Sequence, residues 1–193
     1  MSSGPAASLP GPAADARTRI LDAAETIIRA RGVAGLTLEA AAREAGVSKG
    51  GLLYHFASKE VLLTGLLNRM AEFVDADFRR VLDSIPPGPG RATRAVLSWT
   101  FDHPEMVCQH HERAAAVFLA AFHHDPALLD PVRAVFARIR DLLRQDGLPP
   151  GAALAVMAAC DGLFMADIFG MYTLDEAESA TIRAALERLL VAS

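Results

Sequence analysis

Cysteine, lysine and long apolar runs are scarce in this sequence, and each scarcity removes a class of protein. Two cysteines, Cys108 and Cys160, stand 52 positions apart in 193 residues. They exclude a disulfide framework and any all-cysteine zinc site. No apolar run approaches the roughly 18–20 residues that a bilayer-crossing helix needs, and no basic segment followed by an apolar stretch marks a secretory signal. A soluble, cytoplasmic protein is expected. No stretch alternates apolar and polar residues as a half-buried strand does, and nothing repeats at a solenoid period. A nucleophile elbow, a His-Glu-x-x-His pair, a phosphate-binding loop and a G-x-G-x-x-G turn are all missing. An enzyme is therefore not expected. The rival reading, a hydrolytic or metal-dependent enzyme, has only a cluster of His, Cys and Glu side chains to draw on.

What is present is a large apolar fraction, 52 %, against 22 % charged residues. That composition supports a packed core and excludes wholesale disorder. The net charge is −4 but unevenly spread. Residues 1–14 carry no charge, residues 15–60 carry seven Lys/Arg against six Asp/Glu, and residues 61–193 carry twelve against seventeen. Screening limits the reach of distant charge to about 8–10 Å, so an acidic protein can still meet a polyanion through a locally basic face. The only lysines are Lys49 and Lys59.

Read along the chain, the pattern is all-α, with about nine helices. Residues 1–14 are rich in Ser, Gly, Pro and Ala and are expected to form a disordered tail. A strong helix follows, with Ile20, Leu21, Ala24, Ile27 and Ile28 on one face and Gly32 at its end. Thr37 is the expected N-cap of a short helix to Ala45, Ser48 of another to Phe56, and Ser58 of a long one from Lys59 to about Leu82. The run Pro86-Pro87-Gly88-Pro89-Gly90 breaks the chain. Further helices are expected near 91–102, 105–124, 126–145, 150–169 and 175–191. The organisation expected is a tail (1–14), a first domain (15–60) and a larger helical domain (61–193).

Residues 37–56, TLEAAAREAGVSKGGLLYHF, read as a helix, a glycine-containing turn and a second short helix. That is the spacing of a DNA-reading helix-turn-helix. Ala41 and Ala42 allow a close crossing, Val47 can plug the turn, and Leu52 and Phe56 anchor the second helix inward. Lys49, Gly50, Gly51, Tyr54 and His55 are left for the outer face. The stretch Gly46 to Glu60, GVSKGGLLYHFASKE, resembles the signature of the TetR family of bacterial transcriptional regulators, close to G-V-S-K-G-T-L-Y-H-Y-F-P-S-K-E. Gly51 stands where Thr is commoner, Leu53-Tyr54-His55 replaces Tyr-His-Tyr, and Ala57 replaces Pro. The similarity covers residues 15–63; a later Asp161-Gly162-Leu163 run is also similar to one in many members.

The resemblance implies DNA contacts by Lys49, Tyr54, His55 and Lys59, with Thr37 and Ser48 capping helices whose N-termini face phosphates. Free N–H groups and the helix dipole suit a phosphate oxygen there. Lys59 lies in a first helical turn, where the dipole disfavours a cation unless an anionic group compensates. Gly50 and Gly51 leave the reader helix bare for close approach to the major groove and weaken it by roughly 1 kcal/mol each relative to alanine. A reader helix that orders fully only on DNA is therefore expected. The plainer alternative is a structural corner between helices with solvated lysines.

The larger domain is expected to enclose an effector cavity. Its candidate lining is Phe73, Phe78, Trp99, Phe101, Met106, Phe118, Phe122, Met157 and Phe164, with Met70 beside them. His103, Gln109, His110 and Asp161 would supply the few polar groups that orient a ligand in an apolar cavity. Each of these apolar residues can equally be core filler. Five of the six histidines fall within 103–124, together with Cys108 and Glu112. These have the chemistry of metal ligands, so a metal- or redox-sensing regulator is the alternative. Adjacent histidines on a helix diverge by about 100°, and His123-His124 suits a helix C-terminus; no metal site or cofactor is expected.

The last two helices carry Leu154, Ala158, Ile168, Ile182, Leu186 and Leu189, more apolar surface than two terminal helices need. By resemblance they form a four-helix bundle with a second copy, and a dimer would place two reader helices on the half-sites of a palindrome. The function expected is a ligand-responsive repressor released from its operator by a small, largely apolar effector. The long helix from Lys59 is the expected lever between the two domains. A helical binding module with an idle helix-turn-helix is the remaining rival.

Overall fold

The computed structural model describes residues 15–102 and 125–191. The expected tail and the expected helix at 105–124 lie outside these. Among the described residues there are eight α-helices and no strand, and no helix is long and apolar enough to cross a membrane. Cα packing divides the chain into two compact units, Met1–Leu62 and Leu63–Ser193.

In the first unit, α1 (Ala16–Arg31) starts at Asp15, whose carboxylate accepts from the Thr18 N–H at 2.7 Å. It ends where Gly32 enters the left-handed region at φ +67°. Its apolar stripe of Ile20, Leu21, Ala24, Ile27 and Ile28 is buried as the periodicity predicts. A 3₁₀ turn (Val33–Gly35) leads to α2 (Leu38–Glu44), capped by the Thr37 hydroxyl on the Ala40 N–H at 3.1 Å. The turn after α2 passes through Gly46 at φ +63°, and the Val47 N–H reaches back to the Ala42 carbonyl at 3.0 Å. That bond closes the helix end across a left-handed residue, which glycine adopts without a Cβ clash. The third helix, α3 (Lys49–His55), is capped by Ser48 on the Gly51 N–H at 3.0 Å.

Helix α4 (Lys59–Ser84) carries the chain from the first unit into the second, with Ser58 accepting from the Val61 N–H. Its last carbonyls, on Leu82 and Ile85 just beyond it, are met by the guanidinium of Arg91 at 2.9 Å each. The second unit continues with α5 (Arg91–Phe101), α6 (Asp130–Arg144), α7 (Ala152–Ile168) and α8 (Glu176–Glu187). The helix expected from residue 126 begins instead as a 3₁₀ turn (Pro126–Leu129), and α6 proper starts at Asp130. Pro131 explains the difference, because its ring would clash with the carbonyl four residues back and it has no N–H to give. Helix α5 packs on α6 and α7. The core between them holds Ala95, Val96, Val132, Val135, Ile139, Val156 and Cys160.

The start of α5 has no side-chain cap of its own, since Gly90 precedes it. Asp146, at the far end of α6 and only 9 % exposed, supplies one. One carboxylate oxygen accepts from the Ala92 N–H at 2.9 Å; the other accepts from the Thr93 N–H at 2.7 Å and the Thr93 hydroxyl at 2.6 Å. The Asp146 carbonyl also accepts from the Gly90 N–H at 2.6 Å. A buried carboxylate at a helix N-terminus is stabilised by those N–H groups and by the helix dipole together. Asp146→Asn turns an amide toward N–H donors and is expected to cost about 2–3 kcal/mol. Urea unfolding followed by circular dichroism measures it, and a loss below about 0.5 kcal/mol would show that the cap carries no weight.

Candidate nucleic-acid interface and effector-binding unit

Two side chains fix which face of α3 looks outward. Leu52 and Phe56 are buried, at 0 and 2 % exposure. The Arg17 guanidinium lies 5.6 Å from the centre of the Phe56 ring, within reach of a cation–π contact. With that side pinned, Lys49, Gly50, Leu53 and Tyr54 face solvent, and Tyr54 is 86 % exposed. Gly51 and His55 are half-buried. The rings of Tyr54 and His55 meet edge to face at 5.1 Å.

The two glycines at the head of α3 differ. A Cβ on Gly50 would meet nothing within 4 Å, so the backbone there is open to an incoming surface. A Cβ on Gly51 would come 3.2 Å from the Ser48 hydroxyl that caps the helix. Bareness at Gly50 therefore leaves room for a partner, and at Gly51 it leaves room for the cap.

Both lysines have partners inside the chain. The Lys49 ammonium donates to a Glu39 carboxylate oxygen at 2.6 Å, with each side chain 62 % exposed. That hydrogen bond, then one from the Glu39 backbone N–H, and then the lysine's charge hold the Glu39 carboxyl below its ordinary range. Lys59 is part-buried, and its ammonium donates to the Val33 carbonyl at 2.7 Å. The compensation expected from a nearby phosphate is thus supplied in part by the 3₁₀ turn ahead of α2. Glu39 was invisible to motif reasoning. The only signal was an acidic side chain in the first turn of α2, ten positions before Lys49, and its relevance depends on how the two helices cross.

In the second unit, Phe78 is buried and Trp99 half-buried, with rings edge to face at 5.7 Å. The Trp99 indole N–H donates to Asp77 at 2.7 Å. Phe101, Met157, Asp161 and Phe164 are half-buried, while Phe73 is 37 % exposed. Burial pushes the Asp161 carboxyl up. It also pushes up the thiol of neighbouring Cys160, against a hydrogen bond with Thr100 that pulls it down. Five lining candidates, His103, Met106, His110, Phe118 and Phe122, lie outside the described residues with the rest of the His/Cys cluster. Among the described residues no three His, Cys, Asp or Glu side chains stand close enough together to hold a metal ion.

Helix α7 buries Ala153, Val156, Cys160 and Ala166. Its other side is also apolar: Leu154, Ala158, Gly162, Met165 and Phe169 recur at helical spacing and are exposed. Ile168, Ile182 and Leu186 are half-buried, and Leu189 is 39 % exposed. Beyond α7, Met171 and Tyr172 add 61 and 53 % exposed apolar surface.

Residues 20–66 match the family model described as bacterial regulatory proteins, tetR family. Residues 90–191 match the model of the tetracyclin repressor-like C-terminal domain. The chain is 29 % identical over 171 residues to the HTH-type transcriptional regulator TtgR of Pseudomonas putida, covering 78 % of this chain and 79 % of that protein. It is 30 % identical over 88 residues to the HTH-type transcriptional regulator EthR of Mycolicibacterium smegmatis, but that match covers 46 % of this chain and only 41 % of EthR. Among solved structures, the multidrug binding protein EbrR complexed with malachite green superposes with a TM-score of 0.65 at 26 % identity, over 91 % of this chain and 98 % of EbrR. With a helix-turn-helix beneath one family model and a helical unit beneath the other, the chain belongs to the tetR family of bacterial transcriptional regulators, which are DNA-binding proteins and not enzymes.

Proposed function

We propose that this protein is a dimeric repressor whose α3 enters the DNA major groove at each half-site of a palindromic operator, and which a small, largely apolar effector releases. The observation that carries the reading is the pinned geometry of α3. Leu52 and Phe56 hold one side down, and the other presents a nearly fully exposed Tyr54 beside a bare Gly50 and a lysine. A tyrosine left so open has no folding reason to be there, and its ring and hydroxyl suit a groove edge or a phosphate. In this reading Lys49, Tyr54 and His55 meet the DNA, and the capped N-termini at Thr37 and Ser48 face phosphates. Lys59 adds charge beside them while spending one N–H on Val33.

The dimer rests on α7. A helix with apolar residues on two opposite sides must be covered on both. The body of the unit covers Val156 and Cys160, and a second copy is the occupant that suits Leu154, Ala158, Gly162 and Met165. The small residues allow close approach, and Ile182, Leu186 and Leu189 on α8 extend the surface. One short reader helix also offers too few contacts for specificity, whereas two on one axis read a palindrome.

The effector site is placed around the Phe78–Trp99 pair, with Phe73, Phe101, Met157, Asp161 and Phe164 as further lining. The chain's likeness to EbrR, which is solved with malachite green and with ethidium, supports a small aromatic ligand. Helix α4 would transmit the change. To move the protein from 1:99 to 99:1 between states, the effector must prefer one by roughly 5.5 kcal/mol.

Three outcomes are expected. With Glu39 replaced by Gln so that the ammonium has no carboxylate partner, Lys49→Ala weakens binding to the DNA flanking the protein's own coding region and to scrambled duplexes alike, and flattens the slope of log affinity against log salt by about one unit; an unchanged slope in that background removes Lys49 from the phosphate contacts. Ala158→Arg halves the mass measured by light scattering, and an intact dimer would place the interface elsewhere. Malachite green, titrated without DNA, quenches the single tryptophan, Trp99, saturably; undiminished emission would take Trp99 out of the lining.

A further inference from the structure

The two residues of the Lys49–Glu39 pair come from different helices of the reader, and that changes what binding DNA requires. Lys49 opens α3 and Glu39 sits in the first turn of α2. Their side chains meet at 2.6 Å with both more than half exposed, so no packing forces them together. The pair is the resting partnership of a cation that the DNA-facing reading assigns to a phosphate. Around it the surface holds little spare positive charge, because residues 15–60 carry seven basic against six acidic side chains.

We propose that Glu39 is an affinity-setting residue, a carboxylate that competes with DNA phosphate for the Lys49 ammonium and thereby holds down sequence-independent binding. The proposal rests on the reading of α3 as the DNA-facing helix. Its physical basis is ion exchange. A free lysine that docks on a phosphate releases a condensed counterion, and this release is what makes DNA binding salt-dependent. A lysine already paired gives up a carboxylate first, and that carboxylate then takes a cation from solution. The two ion movements cancel, so the Lys49 contact adds little affinity and little salt dependence while Glu39 is present. Exposed pairs of this kind are weak, which suits a competitor: the ammonium leaves readily for a strong site and stays home on a poor one. What remains to drive tight binding is the contribution of Tyr54 and its neighbours, which depends on base sequence.

The test is a double-mutant cycle read by fluorescence anisotropy on a fluorescein-labelled duplex of scrambled sequence, over a range of salt concentrations. Glu39→Gln is expected to tighten binding about fivefold at low salt, the factor that corresponds to an exposed ion pair, and to steepen the salt slope by about one unit. In the Lys49→Ala background the same substitution is expected to change affinity less than about twofold, because the lysine it would free is gone. Glu39→Ala repeats the measurement with a residue that forms no new hydrogen bond, and thermal unfolding checks that each variant is folded. An equal gain in both backgrounds overturns the proposal, since Glu39 would then act as general negative charge. Wild-type binding with no gain in Glu39→Gln or Glu39→Ala overturns it as well and leaves the DNA reading standing. No salt-dependent binding by the wild type overturns both.

Discussion

The reader surface depends on the burial of two side chains, Leu52 and Phe56, beneath a helix of only seven residues. A helix that short cannot hold itself together in water, and two glycines in its first turn weaken it further. Its shape comes from outside: a cap from Ser48, the two apolar anchors, and the Arg17 guanidinium over the Phe56 ring. Once those are in place the opposite face has no freedom left, and Tyr54 must stand out into solvent. The exposure that makes the surface useful is a by-product of the burial that makes it stable.

The second unit solves a related problem at longer range. Helix α5 begins at a glycine and would leave its first N–H groups bare, yet the carboxylate of Asp146 reaches them across more than fifty residues of chain. In the same region Arg91 turns back to the final carbonyls of α4. The end of α4 and the start of α5 are thus each bound by a side chain from outside the helix.

Much of this was legible in the sequence wherever the physics is local. Thr37, Ser48 and Ser58 cap where their spacing places them, Gly32 and Gly46 end helices at positive φ, and the apolar period of α1 is its buried stripe. The helix expected over 126–145 starts as a 3₁₀ turn at Pro126–Leu129, because Pro131 has no N–H and its ring crowds the carbonyl four residues back, a local constraint that the apolar period does not show. Asp146, Glu39 and the Lys59–Val33 contact could not be read in advance, since each joins residues whose proximity is set by how helices cross. The lining residues sit between these cases. Phe78 and Trp99 do meet, but periodicity alone cannot separate a cavity wall from a filled core.

The bond between Lys59 and Val33 spans 26 residues and fastens the first turn of α4 to the short coil between α1 and α2. That coil ends at Leu36, fully buried, and hands over directly to the cap at Thr37. The four-carbon stem of Lys59 can follow a small rotation of α4 and keep its ammonium on the Val33 carbonyl. A larger rotation breaks that 2.7 Å hydrogen bond or carries the collar in front of α2 with it, so the root of α4 and the approach to α2 share one polar anchor.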